Sequence, residues 1–124
     1  MSPIAVSVAV VDDEEPVRTS LTRLLRSAGY EASAFASGPD FLDSLNETRP
    51  DCVVLDLLMP AMGGHEVQAR LTLEGRHVPV VLITADEVPG ARERALREGA
   101  ASFLRKPVDD SDLIAAIEAA IREN

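Results

Sequence analysis

Five short stretches that read as strands, the second of them weaker, alternate with five stretches of helical periodicity, and this alternation restricts the possible folds more than any other feature of the chain. The runs are Ala5 to Val11, Tyr30 to Phe35, Cys52 to Leu55, Val78 to Ile83 and Ala101 to Leu104. The first, third and fourth are dense in valine, isoleucine and leucine without polar alternation, the pattern of strands buried on both faces. Between them, apolar residues recur at helical spacing. Pro16 sits in the first turn of a helix that carries Val17, Leu21, Leu24, Leu25 and Ala28 inward, with Gly29 as its C-cap. Ser37-Gly38-Pro39-Asp40 starts a second helix with Phe41, Leu42 and Leu45 inward, ending before Pro50. A third carries Val67 and Leu71 and runs out near Gly75. A fourth begins around Glu87 to Ala91 and ends at Gly99. The last is capped by Asp109 or Ser111, and its inner face is Leu113, Ile117, Ala120 and Ile121. Strands alternating with helices through short loops predict an α/β fold: a doubly wound parallel sheet with helices on both faces and right-handed crossovers.

Length and charge narrow the function. The 124 residues make one domain, 1–124, with no linker or repeat. The last helix nearly reaches the final residue, so no second domain is expected within the chain. A formal net charge of −9 argues against direct contact with nucleic acid, which requires a basic footprint. The single cysteine, Cys52, lies in an apolar strand and reads as a small buried hydrophobe. No apolar run approaches the roughly 18 residues of a membrane span, and the N-terminus lacks a signal-peptide pattern. The default expectation is a cytoplasmic protein with no membrane contact.

In a parallel sheet of this kind, sites form beyond the carboxyl ends of the strands. The first strand ends in Asp12 and Asp13, the third in Asp56, the fourth in Thr84 and Ala85, and the fifth runs into Lys106. Taken singly, each has a bland reading as a cap, a turn or a solvated charge. Together they occupy one edge of the sheet. Three carboxylates in one pocket repel: two unit charges about 4 Å apart cost on the order of 4 kcal/mol at an effective dielectric near 20. Either a proton stays bound or a cation neutralises them. Oxygen ligands without histidine favour Mg²⁺ over Zn²⁺. With Lys106 as a positive charge and Thr84 as a hydroxyl donor, the set suits phosphoryl transfer, and Asp56 is the natural nucleophile, forming an aspartyl phosphate.

The order Asp12-Asp13, then Asp56 inside VVLDLLMPAMGG, then ITA, then FLRKP resembles the receiver domain of two-component response regulators, over essentially the whole chain. In look it is closest to receivers of the nitrogen-fixation regulator type, many of which carry a helix-turn-helix domain. The resemblance implies a flavodoxin-like five-stranded sheet of order 2-1-3-4-5. It implies Asp56 as phospho-acceptor, with Mg²⁺ held by Asp13, Asp56 and the backbone carbonyl of Leu58, and Asp12 nearby through water. Thr84 and the Ala85 N–H would bind the phosphoryl oxygens, Lys106 would pair with them, and Phe103 would be the switch aromatic. A sensor histidine kinase would be the phosphoryl donor. The domain would not be a turnover enzyme, although it would assist its own phosphotransfer and dephosphorylation.

Two rival readings follow from the same residues. A Mg²⁺-dependent aspartyl-phosphate phosphatase of the haloacid-dehalogenase type would want a second acid two residues past the nucleophile, where Leu58 stands. A docking module that is never phosphorylated would not need Asp13, Asp56, Thr84 and Lys106 intact. Asp86, two residues past Thr84, is expected either to modulate phosphate hydrolysis or to cap the next helix. Arg92, Arg94 and Arg97 on the fourth helix, with Asp109, Asp110 and Asp112 at the start of the fifth, predict a phosphorylation-promoted homodimer or effector contact across the helix 4, strand 5 and helix 5 face.

Overall fold

The structure, a computed structural model, describes residues 5–86 and 88–123. Among the described residues ten elements alternate: β1 (Ser7–Val11), α1 (Glu15–Ser27), β2 (Glu31–Phe35), α2 (Gly38–Ser44), β3 (Cys52–Asp56), α3 (Gly64–Leu73), β4 (Val80–Thr84), α4 (Ala91–Arg97), β5 (Ser102–Arg105) and α5 (Asp110–Arg122). The five strands form one parallel sheet in the order β2-β1-β3-β4-β5. This is the doubly wound α/β architecture expected, with its switch in strand order between β1 and β3.

Alternation along the strands sorts the core into two layers. Val8 and Val10 of β1, Val54 of β3 and Val81 and Ile83 of β4 face α1 and α5, where Leu21, Leu25, Leu113 and Ile117 meet them. Ala9, Val11, Val53, Leu55 and Leu82 face the other way, onto Phe41, Val67, Leu71, Ala91 and Ala95. β3 and β4 are buried along their whole length, as their unbroken apolar sequence predicts. A side chain such as Leu55, fully enclosed, contributes roughly 1.5–3 kcal/mol by leaving water. β2 and β5 are sheet edges and are only partly covered.

Several boundaries differ from the sequence reading by a residue or two, each for a local reason. β3 extends through Asp56, because the ladder to β4 pairs Asp56 with Ile83. β4 starts at Val80: Pro79 has no N–H to donate, although its carbonyl still accepts from Val53 at 2.9 Å. The C-cap of α1 is Ala28, and Gly29 follows it at φ 96°, the left-handed turn that ends the helix. The described part of α4 begins at Ala91 after Gly90 at φ 79°; a start at Glu87 lies outside the described residues. α5 is capped by Asp109, whose carboxylate accepts from the N–H groups of Ser111 and Asp112.

Candidate functional site

Register places the acids. Val11 of β1 lies opposite Leu55 of β3, so the next residues, Asp12 and Asp56, emerge side by side where both strands end. Asp12 is fully buried, Asp56 is 3% exposed, and Asp13 is exposed to solvent. Oxygens from all three lie within 4.8 Å of one another. The Asp12 Oδ1 accepts from the backbone N–H of Glu14 at 2.9 Å, closing a local turn into α1. The Arg18 guanidinium, one turn into α1, donates to the Asp12 carbonyl at 2.7 Å.

Lys106 enters from β5. Thr84 pairs with Arg105 in the ladder, and the Lys106 N–H donates to the Thr84 carbonyl at 2.8 Å, so the lysine leaves the sheet beside β4. Its ammonium stands 2.9 Å from Asp12 Oδ2, 3.3 Å from Glu14 Oε1 and 3.5 Å from Asp56 Oδ1. One cation therefore serves several acids. Asp12 Oδ2 is buried and meets that ammonium as an ion pair, with no other hydrogen-bond partner among the described residues.

The electrostatics follow from that imbalance. Burial pushes the Asp56 carboxyl up to about 7, and the charge of Asp12 adds to it; Lys106 pulls it back, Asp13 raises it again, and the backbone N–H of Leu58 lowers it. For Lys106, burial alone would lower the pKa, yet Asp12, Asp56 and Glu14 outweigh burial and hold it above the ordinary lysine value. The hard oxygen donors of Asp12, Asp13 and Asp56 and their excess of negative charge over the single ammonium of Lys106 fit a small divalent cation with oxygen coordination. No histidine or cysteine belongs to this cluster.

Thr84 is 2% exposed at the end of β4. Its hydroxyl is engaged locally: it donates to the Asp86 carbonyl and accepts from the Asp86 N–H, both at 3.3 Å. The N-cap of α4 is Gly90, so Asp86 does not cap that helix but closes the turn around Thr84. Ala85 is exposed at the rim, in a groove shared with Lys106, Pro107, Val17 and Val108. Leu58, two residues past Asp56, is aliphatic and half-exposed, so no second acid faces the nucleophile from that position. Phe103 lies on β5 opposite Leu82, away from the acids, half-buried against the α2, α3 and α4 layer. The Arg92 guanidinium of α4 covers its ring at 5.3 Å.

The loop from Asp56 into α3 is tightly built. Ala61 adopts φ 67°, a left-handed conformation unusual for a residue with a Cβ. Gly64 packs directly under the site: a Cβ there would stand 2.7 Å from Leu82 Cδ2, 3.0 Å from the Leu57 Cα and 3.1 Å from the Asp56 carbonyl oxygen. Only glycine permits that approach.

Asp12, Asp13, Asp56 and Lys106 thus converge as the sequence reading expected, with Thr84 and Ala85 beside them on the same edge and Phe103 one strand further out. Three contacts escaped it: Glu14 to Lys106, Arg18 to the Asp12 carbonyl, and Arg92 over Phe103. Glu14 was visible as one charge in an acidic run, but no local pattern encodes a contact across 92 positions.

A five-stranded sheet of this order, with an acid cluster, a threonine and a lysine at its switch-point edge, defines a phosphoryl-accepting α/β domain. The response regulator receiver domain family matches residues 8–118, and the chain belongs to that family, whose members are phosphorylation-activated switches of two-component signalling. Among curated relatives, the transcriptional regulatory protein FixJ of Azorhizobium caulinodans is 39% identical over 120 residues, covering 96% of this chain and 56% of FixJ. The chain spans about half the length of the curated relatives it matches. The crystal structure of FixJ-N superposes with a TM-score of 0.90 at 34% identity, covering 98% of each chain. A receiver protein from Burkholderia phymatum gives 0.83 at 47% identity, covering 94% of this chain and 95% of that one.

Proposed function

We propose that Asp56 is the phospho-acceptor of this receiver, that a sensor histidine kinase is its donor, and that Mg²⁺ is its cation. The observation that carries the reading is the Asp12, Asp13 and Asp56 cluster, into which the ammonium of Lys106 reaches. Asp13, Asp56 and the Leu58 carbonyl would hold the metal, with Asp12 beside it through water. When bound, Mg²⁺ supplies positive charge that neutralises the carboxylates and the transferring phosphoryl group. An Asp56 oxygen attacks phosphorus in line, its bond to phosphorus forms as the donor's P–N bond breaks, and the imidazole leaves with the bonding pair. Lys106 is within reach of the new phosphoryl oxygens, since it already stands 3.5 Å from Asp56. Thr84 would exchange its Asp86 carbonyl for a phosphoryl oxygen, joined by the Ala85 N–H.

That exchange would loosen the turn between Thr84 and Asp86 and bias α4, which is short and starts after two helix breakers. Phe103 and Arg92 lie on the same path. The exposed arginines of α4 and the acids Asp109, Asp110 and Asp112 of α5 support a phosphorylation-promoted homodimer or effector contact by opposite charge. Asp86 would tune hydrolysis of the phosphate, being exposed and hydrogen-bonded to Thr84. The domain is proposed to assist its own phosphotransfer and dephosphorylation without turnover of an external substrate, and to act in the cytoplasm. Incubation with acetyl phosphate and Mg²⁺ tests the reading: intact mass should show one added phosphoryl group on the wild type and none on Asp56→Asn. Uptake by Asp56→Asn equal to wild type overturns Asp56 as the acceptor.

A further inference from the structure

Glu14 stands at the N-cap of α1, yet its side chain caps nothing. Its backbone N–H serves Asp12, and its carboxylate, 58% exposed, instead accepts a hydrogen bond from the Lys106 ammonium at 3.3 Å. It lies outside the acid cluster suited to a cation, which comprises Asp12, Asp13 and Asp56. A cation held by Asp13 and Asp56, with Asp12 beside it through water, would engage two of the three carboxylates around Lys106, those of Asp12 and Asp56. Glu14 is then the acid left to the lysine.

The geometry points to Glu14 as a positioning residue that competes with the phosphoryl group for Lys106 and so lowers the affinity of the site for it; this rests on the reading of Asp56 as phospho-acceptor. The ammonium has three N–H bonds and one charge. A bond held toward Glu14, at the solvent side, is turned away from oxygens built onto Asp56. Its carboxylate adds further negative charge facing an incoming anion. The start of α1 does not depend on that side chain, because Pro16 and the Asp12 turn already set it. The contact is therefore separable from folding.

Two substitutions divide contact from charge. Glu14→Gln removes the charge. Glu14→Asp keeps the charge but shortens the side chain by one methylene, withdrawing it from Lys106. Beryllofluoride binding at saturating Mg²⁺ is measured by calorimetry for wild type and both variants, with Mg²⁺ affinity alone and thermal melting alongside. Loss of an exposed ion pair of this kind corresponds to about a two- to fivefold change. The expected result is beryllofluoride affinity raised by about that factor in both variants, with Mg²⁺ affinity unchanged or lower and melting close to wild type. A merely structural role would move both affinities together with the melt. Unchanged or weaker beryllofluoride binding in Glu14→Gln overturns the proposal. So does Glu14→Asp behaving as wild type while Glu14→Gln binds tighter, since charge alone would then account for the effect. Wild-type protein that fails to bind beryllofluoride with Mg²⁺ overturns instead the phospho-acceptor reading beneath it.

Discussion

Asp56→Asn should make the domain more stable, and by an amount that depends on pH. Asparagine keeps the shape of the side chain and removes the charge. The Asp56 carboxyl has a folded-state value of about 7 against 3.8 for the free group, a gap of about three pH units. At about 1.36 kcal/mol per unit, the ionised form burdens the fold by up to roughly 4 kcal/mol in the absence of a cation. Because the folded value is raised, the native protein keeps a proton that the unfolded chain has lost. The contribution of Asp56 to stability is therefore greatest below about pH 4, falls as pH rises toward 7, and carries the full burden above it. The asparagine of the variant carries no such burden, and Lys106 retains Asp12 and Glu14 as partners. Urea unfolding followed by far-ultraviolet circular dichroism, in EDTA at several pH values between 5 and 8, reads the difference directly. The variant should exceed wild type by about 1 kcal/mol or more near pH 5 and by about 2–4 kcal/mol at pH 8, with Mg²⁺ narrowing the gap at pH 8. A gap that is constant with pH, or wider at pH 5 than at pH 8, would refute the reasoning.

Gly64→Ala should cost about 1–3 kcal/mol in the same urea assay and depress phosphoryl uptake, because two of the three atoms its Cβ meets are backbone of Asp56 and Leu57; a neutral result would mean the loop yields freely. Ala61→Gly should raise stability by about 0.5–1 kcal/mol, since relief of the left-handed backbone at φ 67° exceeds the added flexibility of the unfolded chain, and a lower melting temperature would contradict this. Beryllofluoride with Mg²⁺ should raise the sedimenting mass toward a dimer or strengthen an effector contact, and charge reversal at Arg92 and Arg97 should abolish the change; identical mass with and without beryllofluoride counts against dimerisation.

The elements were legible because their signals are local. Unbroken apolar runs mark β1, β3 and β4, breakers such as Pro60 and Pro107 mark where strands have ended, and helical spacing marks the segments between. That logic also located Asp12, Asp13, Asp56, Thr84 and Lys106 at one edge, since every strand of a parallel sheet ends on the same side. It was weakest where pairing decides the boundary: Asp56 belongs to β3 only because Ile83 lies opposite it. Asp86 had two local readings, and the position of Gly90 removed the helix cap.

By itself, then, the sequence determined which groups meet at the edge of the sheet. Only the tertiary structure decided how they share charge there. It buries Asp12 while Asp13 faces solvent, and divides the Lys106 ammonium among Asp12, Asp56 and Glu14. Burial and charge sharing depend on distances of a few ångströms between residues far apart in the chain, 92 positions in the case of Glu14 and Lys106. Strand register and side-chain packing set those distances, and no local pattern contains them.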